Sequence, residues 1–328
     1  MPRSFLIIAL LVASLQLNAQ VPHHDMVSIP AGTYIVGTND PTAPDRERPA
    51  HAVHVKAFMI DRTEVTNAQF DAFVRATGYV TVAERSVSWE DLRATLPEGT
   101  PRPPDSLLQP GSLVFVAPTH DVDGSDPSQW WQWVIGASWR HPEGPNSDIL
   151  TRMDHPVVHV AYDDARAYAE WAGLRLPTEA EWEIAARLGL DSNQRYPWGA
   201  AVSDADSVAN IWQGAFPTTN TARDGYVRTA PVARYAPNAN GLYDMSGNVW
   251  EWCSDLFRSD AYRNAATDGT GPATSWDPRD AVPDAPKRVI RGGSFLCHAS
   301  YCEAYRVTGR SAESPDTGTS HIGFRCAR

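Results

Sequence analysis

Outside three short stretches, no part of this 328-residue chain keeps an apolar period long enough for a helix, and 26 prolines and 22 glycines punctuate it throughout. A chain cut this often by turn-formers cannot fold as a bundle or a wound α/β sheet. Its core must come from short pieces joined by ordered loops. Twelve tryptophans supply large apolar area for such a core. With 42% hydrophobic residues, the irregularity does not indicate disorder.

The periodic stretches predict at most three helices. In "TNAQFDAFVRATG", Thr66 and Gln69 form a capping-box pair, Phe70, Phe73 and Val74 share a face, and Gly78 ends the run. A second helix is predicted over about 163–172, stopped by Gly173. A third opens at Thr178 and Glu181 in "PTEAEWEIAARLG", with Gly189 after it. "MVSIPAGTYIVGT" reads as short strands around a turn, and "HAVHVKAFMI" as another strand. Residues 92–128, rich in Pro, Gly, Ser and Asp, read as a long surface excursion. From residue 195 short segments such as "NVWEWCSD" and "RVIRGGSF" alternate with turns. The expected class is α+β, a single irregular domain over 26–328 without internal repeats.

The N-terminus sets the compartment. "MPRSFLIIALLVASLQLNAQ" has a basic start, an apolar run too short to span a bilayer comfortably, and a small-residue exit. Residues 1–20 are therefore expected to be a signal peptide, and the mature chain an exported protein of the periplasm or medium. It would have no membrane segment after cleavage, in surroundings that permit disulfides. A net charge of −11 leaves no basic footprint for nucleic acid.

Metal-like spacings need sorting. His155 and His159 are four apart, but Pro156 and two valines argue against a helix, and in extended chain they lie roughly 13 Å apart. They are expected to be hydrogen-bonded structural histidines. "VDGSD" hints at an EF-hand loop, yet Gln132 stands where the loop needs Glu. No G-x-S-x-G, H-E-x-x-H or phosphate loop occurs. Two oxygen-rich stretches suit a hard cation better: Asn210 with Asp224 in "NIWQGAFPTTNTARDGY", and Asp244 with Glu251 in "DMSGNVWEW". Solvated turns are the plainer reading of both.

Of four cysteines, Cys297 and Cys302 stand five apart in "RGGSFLCHASYC". Fully extended chain would separate them by about 17 Å, so the segment must curl back for the sulfurs to meet. Gly292 and Gly293 lie just upstream, and His298-Ala299-Ser300 can form the bend. In an exported protein a disulfide is the default. A two-thiolate site for Cu(I) is the sharper alternative. Cys253 and Cys326 are the other two. Paired, they would close a loop of about 70 residues, worth about 2–4 kcal/mol; each is equally readable as a buried free thiol.

The chain resembles the formylglycine-generating enzymes, also called sulfatase-modifying factors, from about Met26 to Arg328. The landmarks are "MVSIPAGTYIVGTNDP", "WRHPEGPNSDI", "DHPVVHVAYDDARAYAEWAGLRLPTEAEWE", "YPWG", "NIWQGAFPTTNT", "GLYDMSGNVWEW" and "RVIRGGSFLCHASYC…ESPDTG…GFRCA". The resemblance implies a single domain related to C-type lectins. It implies a copper- and dioxygen-dependent oxidase that turns the cysteine of a sulfatase's C-x-P-x-R motif into formylglycine. By the same likeness Cys297 and Cys302 hold Cu(I), the substrate thiolate joins them as a third sulfur, and a thioaldehyde hydrolyses to the aldehyde. Cys302 is the cysteine that forms a mixed disulfide with substrate, and Ser294 and Trp250 line the oxygen pocket. One structural calcium site falls on Asn210, Asp224 and the carbonyls of Ile211 and Tyr226. The other falls on Asp244, Glu251 and the carbonyls of Gly247 and Val249. The partner is a sulfatase polypeptide, and a monomer is expected. Vertebrate relatives carry two further disulfides; here Cys326 remains, Ala186 stands at its partner's position, and His321 stands where relatives often have Asn. Two other classes remain open: a noncatalytic lectin-like binding module with Cys297–Cys302 as a structural disulfide, and an oxidase acting on a different exported peptide.

Overall fold

A computed structural model describes residues 21–328 except 95, 188–189, 191–193 and 199–207. The expected signal peptide and Gly189 lie outside the described residues. In chain order the elements are β1 (Met26–Ile29), β2 (Gly32–Val36), β3 (His51–Val55), β4 (Phe58–Asp61), α1 (Asn67–Thr77), α2 (Trp89–Ala94), β5 (Gly111–Phe115) and β6 (Trp131–Ile135). They continue with α3 (Tyr162–Trp171), α4 (Glu179–Arg187), β7 (Gly214–Ala215), β8 (Thr219–Asn220), β9 (Trp250–Leu256), β10 (Arg288–Arg291), β11 (Arg310–Glu313) and β12 (Ile322–Gly323). The architecture is a single α+β domain, as expected.

The three predicted helices form where their caps place them. Thr66 Oγ1 accepts from the Gln69 N–H, Gln69 Oε1 accepts from the Thr66 N–H, and Gly78 closes α1 in the left-handed region. Thr178 and Glu181 cap α4 in the same reciprocal way. One expectation is corrected: α2, six residues long, is a fourth helix among the described residues, too short to show a period. A second correction concerns 92–128, which is more than a surface excursion. It supplies β5, which pairs antiparallel with β6. "HAVHVKAFMI" is also two strands, β3 and β4, which pair with β2 and β1 respectively.

The largest sheet has the order β11-β10-β9-β12, with β12 parallel to β9 and the other pairings antiparallel. Beside it the C-terminal residues act as a strap: Ala327 bridges both Ile60 and Arg175. One apolar cluster gathers Phe70, Trp139, Tyr168, Trp252 and Phe324; a second gathers Ile29, Phe58, Trp182 and Val289.

Where regular structure is sparse, buried arginines hold the loops. Arg310 reaches both oxygens of Glu179 at 2.6 Å, and Arg291 reaches Glu183 at 2.8 Å. Arg306 is bidentate to Glu47, and Arg325 to Glu251. Such planar two-bond pairs fix orientation as well as charge. Cys253 and Cys326 do not pair. Both are buried free thiols, Cys253 in the second apolar cluster and Cys326 in the first, so the possible disulfide does not form.

Candidate active site and cation loops

The cysteine loop follows β10. Gly292 and Gly293 have φ of 91° and 73°. A Cβ on Gly293 would sit 2.9 Å from the Tyr305 amide, so only glycine lets the chain turn this close to the returning segment. The loop then curls as its spacing requires: the Cys297 N–H donates to the Ser294 carbonyl at 2.9 Å, and the Cys302 N–H to the His298 carbonyl at 2.8 Å. The result brings the two sulfurs to 2.6 Å, with both thiols free.

The two thiols are unequal. Cys297 is buried and Cys302 half-buried. Burial, reinforced by the hydrogen bond to Cys302, pushes the Cys297 thiol far up. The same bond from Cys297 pulls Cys302 below its ordinary value, helped by the charges of Arg46 and Arg306. Cys302 is thus the favoured thiolate, and the thiolate is the nucleophile and metal ligand.

Both cysteines line a groove of about 690 Å³, together with Ser294 and Trp250. Ser294 is buried and its Oγ accepts from the Leu296 N–H at 3.2 Å. Trp250 opens β9, and its N–H donates to the His321 carbonyl at 2.8 Å. Sequence reasoning missed the aromatic wall. Tyr301 stacks on Phe216 with ring centroids 4.4 Å apart, Trp130 meets both edge-on, and Trp131 tilts against His321. The tandem tryptophans of "SQWWQW" were the available signal. His321 also lines the groove; Nδ1 bonds Thr319 Oγ1 at 2.6 Å, and burial lowers its pKa to about 3, so the ring is neutral.

His155 and His159 are structural, as expected. His159 is buried between Ser112 Oγ and the Pro142 carbonyl, at 2.7 and 2.8 Å.

The first cation loop fits an ion. Asn210 is buried; its Nδ2 donates to the Arg228 carbonyl and to Asn248 Oδ1, while its Oδ1 is buried with no hydrogen-bond partner. Asp224 Oδ1 accepts from the Tyr226 N–H at 3.0 Å, and among the described residues no donor reaches the Ile211 or Tyr226 carbonyl. An orphaned buried oxygen is what a hard cation would complete.

The second loop is more crowded. Asp244, Gly247 and Asn248 all have positive φ, and among the described residues no backbone donor reaches the Gly247 or Val249 carbonyl. The Glu251 carboxylate is engaged by Arg325 and by Trp182 Nε1, the latter at 2.7 Å. Glu64, which the sequence reading missed, is fully buried here. Its Oε1 accepts from Asn248 Nδ2 at 3.0 Å and its Oε2 has no partner. Burial, then the charge of Asp244, pushes Glu64 well up; burial raises Asp244 to about 6. Three carboxylates around one guanidinium leave buried negative charge for a cation to neutralise.

These geometries meet in comparisons with known proteins. The sulfatase-modifying factor enzyme 1-like domain matches residues 13–328. The chain belongs to this sulfatase-modifying factor family. It is 49% identical over 305 residues to the formylglycine-generating enzyme of Thermomonospora curvata, covering 92% of each. It is 46% identical to that of Mycobacterium tuberculosis, over 92% of this chain and 97% of the relative. Among solved structures, PvdO from Pseudomonas aeruginosa aligns with a TM-score of 0.60 at 28% identity, covering 92% of this chain and 93% of that one. The chain thus shares its fold with a protein of quite different name, so the fold alone does not supply the chemistry.

Proposed function

We propose that this protein oxidises the cysteine of a C-x-P-x-R segment in a sulfatase to formylglycine, using dioxygen. The observation that carries the reading is the pair of free thiols, 2.6 Å apart, in the floor of an aromatic-walled groove. The overall chemistry balances as one substrate thiol, one dioxygen and two reducing thiols giving one aldehyde, one hydrogen sulfide, one water and one disulfide.

Two thiolates are the soft donors Cu(I) prefers, and Cys297 and Cys302 would hold it once the sulfurs, 2.6 Å apart here, part to admit the ion; when bound, the ion supplies a soft centre for the substrate thiolate and the electron transfer to dioxygen. The chain does the rest. Cys302, half-exposed and favoured as thiolate, meets the incoming cysteine; Cys297 stays behind it in the core. The aromatic wall and the buried Ser294 and Trp250 hold the reacting sulfur in a poorly hydrated place. Structural calcium would be held by Asn210, Asp224 and the Ile211 and Tyr226 carbonyls. A second ion would take Asp244, the Gly247 and Val249 carbonyls and Glu64, sharing Glu251 with Arg325. With its signal-like leader, the protein would meet its client outside the cytoplasm.

The test is mass spectrometry of a C-x-P-x-R peptide incubated with the copper-loaded protein, alongside Cys297→Ser and Cys302→Ser. Wild type yields aldehyde, and both variants lose turnover and Cu(I) affinity. Cys297→Ser still traps peptide as a mixed disulfide, and Cys302→Ser does not. Equal destabilisation of both variants, with no aldehyde from wild type, returns the pair to a structural role.

A further inference from the structure

Most charged side chains in the groove are already neutralised. Arg306 is matched by Glu47, and Arg195 by Glu303. Two are not. Arg46 is half-buried, and its Nε donates to the Arg310 carbonyl at 2.9 Å, but no described carboxylate pairs with its guanidinium. The adjacent Glu47 is committed to Arg306 and Thr308. Burial lowers the pKa of Arg46, and so do Arg279, Arg306 and Arg310, against the opposing charge of Glu47. This corner of the groove therefore carries uncompensated positive charge.

The converse holds at Glu313. It is half-buried at the end of β11, and its Oε1 accepts only from the next residue's N–H, at 2.9 Å. No described cation pairs with it; Lys287, whose charge it feels, is bonded to Asp280 at 2.6 Å. Burial raises its pKa, the sign of a carboxylate without a partner.

β11 links the two. It is an edge strand, paired only with β10 among the described strands, and Ser311, Ala312 and Glu313 line the groove. Arg46 grips the carbonyl of its first residue and Glu313 is its last. Three residues of strand span about 10 Å.

We propose that the groove reads an extended substrate segment by charge, seating an acidic side chain on Arg46 and a basic one on Glu313, about three residues apart. This deepens the peptide-oxidation reading and rests on it for the groove being a peptide site. Each group is partly exposed, so each contact should change affinity by about fivefold.

The experiment uses fluorescent peptides around C-x-P-x-R in which the cysteine is replaced by serine, so that binding is read without turnover. Asp or Lys is placed at each flanking position in turn. Affinities are measured for the mature protein, Arg46→Glu, Arg46→Gln and Glu313→Gln, with melting temperatures as a folding control. One Asp position should bind wild type about fivefold tighter. Arg46→Glu should reverse that preference to Lys at the same position, a rescue that misfolded protein cannot give. Glu313→Gln should keep the Asp preference and lose the gain from a basic residue about three positions away. Absence of any preferred Asp position, an unchanged preference in Arg46→Glu, or no binding of any peptide overturns the inference. Aldehyde formation on the matching cysteine peptides is scored separately. Aldehyde without charge dependence removes only this inference, and charge dependence without aldehyde removes only the oxidase reading.

Discussion

Glu251 stands between two roles, and replacing it with glutamine separates them. Its carboxylate receives Arg325 Nε at 2.6 Å, Arg325 Nη2 at 2.7 Å and Trp182 Nε1 at 2.7 Å, all in the interior. Glutamine keeps the shape and one oxygen, so part of the hydrogen bonding survives, but Arg325 loses the one carboxylate it is bonded to, with only the unbonded charges of Glu64 and Asp244 nearby. Breaking such a pair typically costs about 3–5 kcal/mol. At about 2 °C per kcal/mol for a domain of this size, the melting temperature should fall by about 6–10 °C. The decisive arm is a melt in excess chelator, because the ion-pair loss needs no calcium. Calcium at 100 times its dissociation constant would then stabilise wild type by about 2.7 kcal/mol, and Glu251→Gln by less if the carboxylate also touches the ion. Arg325→Met should show the same chelator-independent loss. If Glu251→Gln melts with wild type in chelator and differs only when calcium is present, the pairing with Arg325 contributes nothing and the reasoning fails.

Two further outcomes follow from the same structure. Asp224→Ala and Asn210→Ala should each lower the calcium-saturated melting temperature and abolish the response to chelator at that site; a melt indifferent to chelator, with no calcium copurifying, would remove the cation reading of both loops. Asp255 lies beside a separate cavity of about 410 Å³ and caps α4 by accepting from the Glu179 N–H at 2.7 Å. Burial, with the neighbouring Glu179 charge, raises it from 3.8 to about 7. The folded state therefore binds this proton more tightly than the unfolded one, and stability is lost as pH rises from about 4 to about 7. Asp255→Asn, which keeps the oxygen at the cap, should flatten that limb and be the more stable protein at pH 8 in urea unfolding; parallel wild-type and variant curves between pH 5 and pH 8 would exclude the shift.

The features legible in sequence were those with local causes. Capping pairs at Thr66–Gln69 and Thr178–Glu181, and the stop at Gly78, depend on residues three or four apart, and each formed as spaced. The curl that joins Cys297 to Cys302 was also local, announced by two glycines and a short bend. The helix α2 is too short to carry a period, and β5 looked like loop because its partner β6 begins 20 residues later. What stayed hidden was long-range and polar. Nothing near Glu64 says that it will be buried against Asn248, 184 positions away. Nothing near Arg325 names Glu251. Charged residues read as solvated by default, so a core held by arginine–carboxylate pairs is invisible until the pairs meet.

That hidden layer explains how a loop-rich chain can hold two sulfurs still. The cysteine loop has no regular structure of its own, yet each of its ends is anchored. Arg291, the last residue of β10, is fixed by Glu179 and Glu183. The Gly292 carbonyl then accepts from the Gly247 N–H, and the Phe295 N–H donates to the Asn248 carbonyl, both at 2.9 Å. Asn248 N–H in turn donates to the Asn210 carbonyl at 2.8 Å, and two residues on, the Trp212 N–H donates to the carbonyl of Cys297 itself at 3.1 Å. The two proposed cation loops and the cysteine loop are therefore one hydrogen-bonded unit, in which the Asn210 segment is tied to Asn248 and, through Trp212, to the backbone of Cys297. Ions at 210 and 244 would act on chemistry by fixing that backbone, since none of their ligands reaches the groove. Under the proposed function, a groove ready to receive a thiol without rearranging would lose less free energy to ordering when substrate binds, and the charges buried far from the two sulfurs would serve that readiness.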